Sequence, residues 1–563
     1  MADQSIRLRI SSVLVVVFLS LSLAAQADER KPGVDSIASA YPLASDAGRE
    51  ILQKGGNAFD AAIAIAAALA VVEPNASGMG AGGFFLLHRA SDKLDVMIDA
   101  REKAPAAASR DMYLDKQGKV IPNLSTSTAL GAGIAGEPKA LGLLAEKYGK
   151  LPLKTCLEPA IRLARDGFGL YPRLQGGLRF KIDTLKKQPE AAKVFLKNGE
   201  LPELGFVIKQ PQLAATLQLL ADKGMNAFYT GPFAKKMVAG VRKLGGNWTE
   251  QDLADYTVVE RQPIISQYRG ARIVSASPPA SGGIALVDAL HILEGYDLSK
   301  VDSVTRKHLI IEAMRRAHRD RAEYLGDPDF VQMPVDRLIS RYYADGQRTS
   351  LRLDRATRSE WLQPIEDSPQ GTQTTHFSVL DREGNRAAVT ITLNLWFGSG
   401  LMVPGTGFFL NDQMDDFSSK PGAPNAYQLV GAEANSIAPG KRPLSSSTPT
   451  FIESDKGLLI TGSPGGNYII GMVLLATLDF LDGKSAKEIV ATPRFHHQYL
   501  PDVVTYESDA FSDQEKADLE KRGHTLREAR QRWGNMAAIT WDYGTGKIEA
   551  AADPRGNGEG HVY

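Results

Sequence analysis

The chain has 563 residues, 43% hydrophobic and 23% charged, which excludes a wholly disordered, collagen-like or coiled-coil protein and leaves room for one large multilayer domain or two to three smaller ones. Lys plus Arg and Asp plus Glu both number 65, so no net positive charge is available to drive binding to nucleic acid or to an anionic membrane. A single cysteine, Cys156, excludes an intrachain disulfide, a CxxC redox pair and a multi-Cys zinc site.

The first predicted element is a targeting signal. Arg7 and Arg9 precede an apolar run over 13–25, too short to span a bilayer, and Ala25-Gln26-Ala27 fits the small-x-small cleavage rule. Residues 1–27 therefore read as a signal peptide, with a mature chain from Asp28 bound for the periplasm or secreted. Residues 45–54 read as a helix stopped by Gly55-Gly56. Asn57 is placed to cap the next helix, 58–72, whose sequence AFDAAIAIAAALAVV is apolar on nearly every face and belongs inside a large core. The glycine run 78–83 matches GxGxxG, but it lies between a helix and the strand 84–88. A dinucleotide site needs strand, glycines and helix in that order, so this is a closely packed loop. In the helix start 151–161, Cys156 reads as a small core residue. Residues 138–353 alternate helical stretches with turns and show few strand patterns. Within them, 307–324 reads as a charged amphipathic helix carrying His308 and His318, whose spacing of ten does not suit a helical metal pair. Residues 349–372 are polar, charged and without period, and read as an exposed linker.

After the linker the pattern changes. Residues 375–380 and 386–394 alternate as strands around the turn DREGN, which makes a hairpin. Pairing about its centre sets Thr374 opposite Leu393, within two residues, with Thr392 and Asn394 flanking. Further strands follow at 458–462, 535–541 and 547–551, and 468–481 reads as a buried helix. Asp412, Asp415 and Asp416 lack EF-hand spacing. His496 and His497, adjacent on an extended segment, point apart and read as structural. No metal and no cofactor is expected.

Thr374 stands where the linker meets the hairpin. A mid-chain Thr hydroxyl is a weak nucleophile, and the chain has no GxSxG elbow. Thr becomes a good nucleophile as the first residue of a chain, because its own α-amine, titrating near about 7.7–8.0, takes the proton. The bond before Thr374 would then have to be cut, and a linker ending at a strand suits that cut. From the residues alone an ordinary strand-start Thr remains the alternative.

The segments QTTHFSVL (373–380), TLNLWFGSG (392–400), NDQMDDFSS (411–419), KRPLSSSTPT (441–450), TGSPGG (461–466) and PRFHHQ (493–498) resemble the γ-glutamyltranspeptidase family, as do GGNAFDA (55–61), REKAP (101–105) and LGDPDF (325–330) upstream. The likeness runs in order from about residue 33 to Tyr563. It implies an α/β fold, a four-layer αββα sandwich of the N-terminal-nucleophile hydrolase type with a largely helical large-subunit portion. It also implies self-cleavage between Gln373 and Thr374 into a large subunit, 28–373, and a small one, 374–563, that remain an interleaved heterodimer. The activity implied is transfer or hydrolysis of the γ-glutamyl group of glutathione and related compounds, with amino acids, peptides or water as acceptors. Carried over residue by residue, Thr374 resembles the nucleophile and Thr392 the neighbour that hydrogen-bonds its hydroxyl. Gly465 and Gly466 resemble the oxyanion hole, and the helix starting two residues later would leave their N–H groups at its positive end. Arg101, Ser445 and Ser446 match the ligands of the substrate α-carboxylate, Asn394, Gln413 and Asp416 those of its α-ammonium, and Tyr427 the tip of a covering lid. Trp396 and Asp412 depart from the family pattern, and Trp396 is expected to narrow the acceptor side. Two rivals remain: a glutaryl-cephalosporin-type β-lactam acylase on the same fold, and a non-catalytic exported binding protein.

Overall fold

The computed structural model describes residues 30–362 and 374–563, so the expected signal peptide, 1–27, and Gln373 lie outside the described residues. Two antiparallel sheets organise the chain, built from β1 (Ser36–Ser39), β2 (Gly82–Arg89), β3 (Leu94–Ala100), β4 (Val259–Arg261), β5 (Ile264–Tyr268), β6 (Ala271–Ser275), β7 (Thr375–Leu380), β8 (Arg386–Thr392), β9 (Thr450–Glu453), β10 (Gly457–Gly462), β11 (Ala537–Asp542), β12 (Ile548–Ala552) and β13 (Glu559–Val562). The first sheet runs β13-β1-β7-β8-β2-β3-β4 and the second β12-β11-β10-β9-β6-β5. Strands from before and after residues 363–373 are interleaved in the first sheet. Thus β1 pairs on one side with β13 (Ser36 with Val562) and on the other with β7 (Ser36 with Leu380).

Side-chain alternation produces the layers. On β2, Phe84 and Leu86 pack between the sheets with Phe451, Leu458 and Ile460, whereas Phe85 and Leu87 face the helices on the outer side. That outer layer holds α1 (Pro42–Gln53), α2 (Ala58–Val72) and α3 (Leu153–Asp166). The other outer layer, on the second sheet, holds α4 (Gly282–Glu294), α5 (Ser303–Tyr324) and α6 (Ile469–Leu481). The result is the expected αββα sandwich. Every residue of α2 is buried, and its start is fixed as the sequence indicates: Asn57 Oδ1 accepts from the amides of Phe59 and Asp60 at 3.0 Å, and Asp60 Oδ2 from that of Asn57 at 2.9 Å. Cys156 is buried, and burial pushes its thiol up and keeps it unreactive. The glycine run packs as expected: a Cβ on Gly80 would lie 2.0 Å from the carbonyl oxygen of Phe409, so only glycine fits there.

Three expectations are corrected. The helix α5 is not amphipathic in the ordinary sense, because its charges are buried. Glu312 accepts from Arg315 Nε at 3.2 Å and Arg316 Nη1 at 2.6 Å, and Arg315 also pairs with Asp502. The linker is docked over its first part: Arg316 donates to Ser350 Oγ and Thr357 Oγ1 at 2.9 and 3.0 Å, and Arg315 to the buried Ser359 at 2.7 Å. The hairpin β5–β6 escaped notice because its turn is Arg269-Gly270, at φ 48° and 86°, rather than the Asn-Gly that signals such turns.

Candidate active site

The hairpin β7–β8 sets the centre of the site. Thr375 pairs with Ile391, so Thr374 continues the ladder opposite Thr392, one residue from the register expected. The side chains of Thr374, His376 and Ser378 share the inter-sheet face, and Thr374 Oγ1 donates to Thr392 Oγ1 at 3.2 Å. Thr392 Oγ1 also accepts from the Asn394 amide at 2.9 Å, which fixes the residue that ends the strand at φ 78°. His376 lies two residues along the same face and is no base for Thr374. Its ring contacts Thr390 Oγ1 at 2.9 Å, and burial pushes its pKa down to about 3.

Thr374, Thr392, Asn394, Gln413, Asp416, Tyr427, Ser445, Ser446 and Gly466 line one cavity of about 20 Å³, room for about one water. Nine predicted residues from six separate segments thus converge. Two stand just outside the wall. Arg101 is fully buried behind Asp416 and pairs with its carboxylate, with Nε donating to the Pro443 carbonyl at 3.0 Å. Gly465 precedes Gly466 in the turn before α6, where the first N–H groups have no intrahelical acceptor. Gly466 sits at φ 54°, and a Cβ there would meet the Tyr427 ring at 2.5 Å.

The polar wall has a definite pattern. Gln413 Nε2 donates to Asp416 Oδ2 at 2.7 Å and Asn394 Nδ2 to the Asp412 carbonyl at 3.0 Å, which orients both amides. Their oxygens, Asn394 Oδ1 and Gln413 Oε1, are then buried acceptors with no partner among the described residues. Tyr427 lines the cavity and donates through its hydroxyl to the Asn394 carbonyl at 2.5 Å. Asp415 is not a solvated loop residue; burial pushes it up to about 6 while Ser125 Oγ donates to it at 2.7 Å. Asp412, fully buried, is driven well above the carboxylate range by burial, partly offset by Lys181, and accepts from the Leu395 amide at 3.0 Å. Trp396 lies against Gly177 and 5.6 Å from the Arg173 guanidinium and is not among the residues that line this cavity.

Residues the sequence reading passed over also serve the site. Asn425 Nδ2 reaches Asp416 Oδ1 at 3.3 Å, and Gln498, in the PRFHHQ segment, reaches the Gln428 carbonyl beside the lid at 3.3 Å. For metals, one group stands out among the described residues: His308, Glu312 and His524 offer ligand atoms within 4.8 Å of one another. The Glu312 oxygens are already taken by Arg315, Arg316 and the Thr357 amide, and His308 Nδ1 contacts His524 Nε2 at 2.7 Å. His497 contacts Asp502 at 3.1 Å and His496 packs on Tyr468, as structural histidines do.

Comparison with known proteins agrees with this geometry. A family model described as Gamma-glutamyltranspeptidase matches residues 44–563. The glutathione hydrolase proenzyme of Escherichia coli is 41% identical, the match covering 92% of this chain and 90% of that one. That of Bacillus subtilis is 37% identical, over 95% and 92%. Among solved structures, a cephalosporin acylase from Bacillus halodurans superposes with a TM-score of 0.82 at 27% identity, covering 96% of this chain and 97% of that one. The γ-glutamyltranspeptidase of Helicobacter pylori gives 0.56 at 40% identity, covering 58% of this chain and 94% of the matched one.

Proposed function

The chain belongs to the γ-glutamyltranspeptidase family, and from that premise we propose how this site performs γ-glutamyl transfer and glutathione hydrolysis. The exported precursor is cut between Gln373 and Thr374. Thr374 Oγ1 attacks the preceding carbonyl, the resulting ester is hydrolysed, and the large and small pieces stay together. The freed α-amine of Thr374 then serves as the base. In turnover the Thr374 hydroxyl gives its proton to that amine and bonds to the γ-carbonyl carbon of the donor. The N–H groups of Gly465 and Gly466 hold the oxyanion. The proton passes to the leaving amine as the C–N bond breaks, and a γ-glutamyl ester remains on Thr374. Water, or the amino group of an amino acid or peptide, attacks the ester and regenerates the enzyme. Tyr427 must swing away to admit the donor, since the cavity beneath it is only about 20 Å³.

The observation that carries the donor assignment is the pair of unpartnered buried oxygens, Asn394 Oδ1 and Gln413 Oε1, beside the Asp416 carboxylate. Three acceptors match the three N–H donors of an α-ammonium. A glutaryl group has no ammonium and would leave the two amide oxygens, Asn394 Oδ1 and Gln413 Oε1, without a donor, which weighs against the acylase reading despite the shared fold. Ser446 offers a hydroxyl donor to the α-carboxylate, with Ser445 beside it in the wall and the Arg101 guanidinium behind Asp416 adding positive charge. The test has two parts. Intact mass and N-terminal sequencing are expected to give two fragments for the wild type, the smaller beginning Thr-Thr-His-Phe, and one uncut, inactive chain for Thr374→Ala. The cleaved enzyme is expected to turn over γ-glutamyl-p-nitroanilide far faster than glutaryl-p-nitroanilide. Preference for the glutaryl amide would establish the acylase instead, and an uncut wild type a binding protein.

A further inference from the structure

Arg321, in the last turn of α5, is 5% exposed, and no carboxylate lies within ion-pair distance of it among the described residues. That is an expensive arrangement, because a buried charge is ordinarily paired. Burial has pushed the Arg321 pKa down to about 10. The acid whose field reaches it, Asp416, is already committed to Arg101, Gln413 and Asn425. The partners Arg321 does have are hydroxyls. Nε donates to Ser281 Oγ at 2.9 Å and Nη2 to Ser446 Oγ at 3.3 Å. Ser281 in turn donates to the Ser445 carbonyl at 2.6 Å, so the guanidinium braces both serines of the cavity wall.

The two serines are not in the same state. Ser445 Oγ donates to Ser447 Oγ at 3.0 Å, so its proton is in use. Ser446 Oγ accepts from Arg321 and donates to no group among the described residues. A hydroxyl whose lone pair is taken by a cation must turn its hydrogen elsewhere, and Ser446 lines the cavity.

We propose that Arg321 is a positioning residue for the donor's α-carboxylate: it holds Ser446 as a hydroxyl donor facing the cavity and supplies a buried positive charge that only an incoming carboxylate neutralises. The proposal rests on the γ-glutamyl reading and deepens it. The charge is uncompensated in the empty site and compensated in the complex, so a donor lacking the α-carboxylate gains nothing from it. Arg321 thereby makes the α-carboxylate a requirement, as the acceptors around Asp416 do for the α-ammonium.

The test uses the full-length, self-cleaved protein and two donors, γ-glutamyl-p-nitroanilide and 4-aminobutyryl-p-nitroanilide, which keeps the ammonium and lacks the α-carboxylate. Arg321→Met is expected to raise KM for the first donor roughly ten- to hundredfold, the worth of one charge-assisted hydrogen bond, with kcat little changed. KM for the second donor should not move, and Arg321→Lys should recover part of the loss. In a Ser446→Ala background Arg321→Met should add less than it does alone. Unfolding of the empty protein should not shift to lower temperature, since the variant removes an unpaired charge. Normal cleavage into two fragments verifies that each variant is folded. An unchanged KM for γ-glutamyl-p-nitroanilide, or equal losses on both donors, would overturn the proposal. A wild type inert on γ-glutamyl-p-nitroanilide would instead overturn the donor assignment on which it rests.

Discussion

Thr392 Oγ1 accepts both the Thr374 hydroxyl and the Asn394 amide, so one oxygen holds the proposed nucleophile and the start of the proposed ammonium subsite together. Valine has the same shape without that oxygen. Thr392→Val is expected to lower kcat on γ-glutamyl-p-nitroanilide roughly hundredfold, the usual cost of removing one preorganised hydrogen-bond partner from a reaction centre. KM should change little, and self-cleavage, which uses the same hydroxyl, should slow with it. Single-turnover rates and a cleavage time course measure both; a rise in KM alone would show that Thr392 only shapes the pocket. This neighbourhood was legible from the sequence because a hairpin's register follows from its turn, and the observed pairing lies one residue from the expected centre, inside the two-residue range. Arg321 was not legible. It lies in a helix whose many charges read as a solvated face, and nothing local in a sequence separates a buried arginine from an exposed one.

The same limit shows in α5 as a whole. Its charges are buried because partners arrive from distant segments: Asp502 from the C-terminal region, and Thr357 and Ser359 from the stretch that reads as a loose linker. Burial alone would raise the Glu312 carboxyl, but the Arg315 and Arg316 guanidiniums hold it down at about 2. Glu312→Gln would leave two buried guanidiniums short of charge. It is expected to destabilise the protein by about 3–5 kcal/mol, the range for breaking a buried ion pair, read as a lower denaturation midpoint at neutral pH. A loss below about 1 kcal/mol, typical of a surface pair, would show that solvent reaches the network. Elements with strong periodicity or a cap were plain by contrast: α2 begins after Asn57 and runs over the expected 58–72. The β5–β6 hairpin was hidden by its turn chemistry.

Across the whole molecule several histidines are buried and uncharged. Burial holds His376 and His318 down at about 3 and His497 at about 4. In the unfolded chain the same rings titrate near about 6.5. Between these values the unfolded state binds protons that the folded state refuses, so stability rises with pH there and is lost as pH falls from about 6.5 toward 4. The loss at pH 4.5 is expected to reach about 2–3 kcal/mol per such histidine, measured as a falling unfolding temperature from pH 7 to 4.5. A temperature constant over that range would show these rings to be solvated. The four-layer order itself was not deducible from periodicity; it came from resemblance, because strand order depends on contacts between segments hundreds of residues apart. That order carries a consequence for how the protein is made. With β1 held between β7 and β13, each product of the proposed cut supplies the middle of the other's sheet. The two pieces are then synthesised in strict one-to-one ratio from a single reading frame. Each piece lacks the strands that its partner lays beside its own, so a piece translated alone would present open strands to its neighbours. On the proposed scheme the intact precursor serves as the assembly jig, and the cut follows once the interleaved sheet is in place.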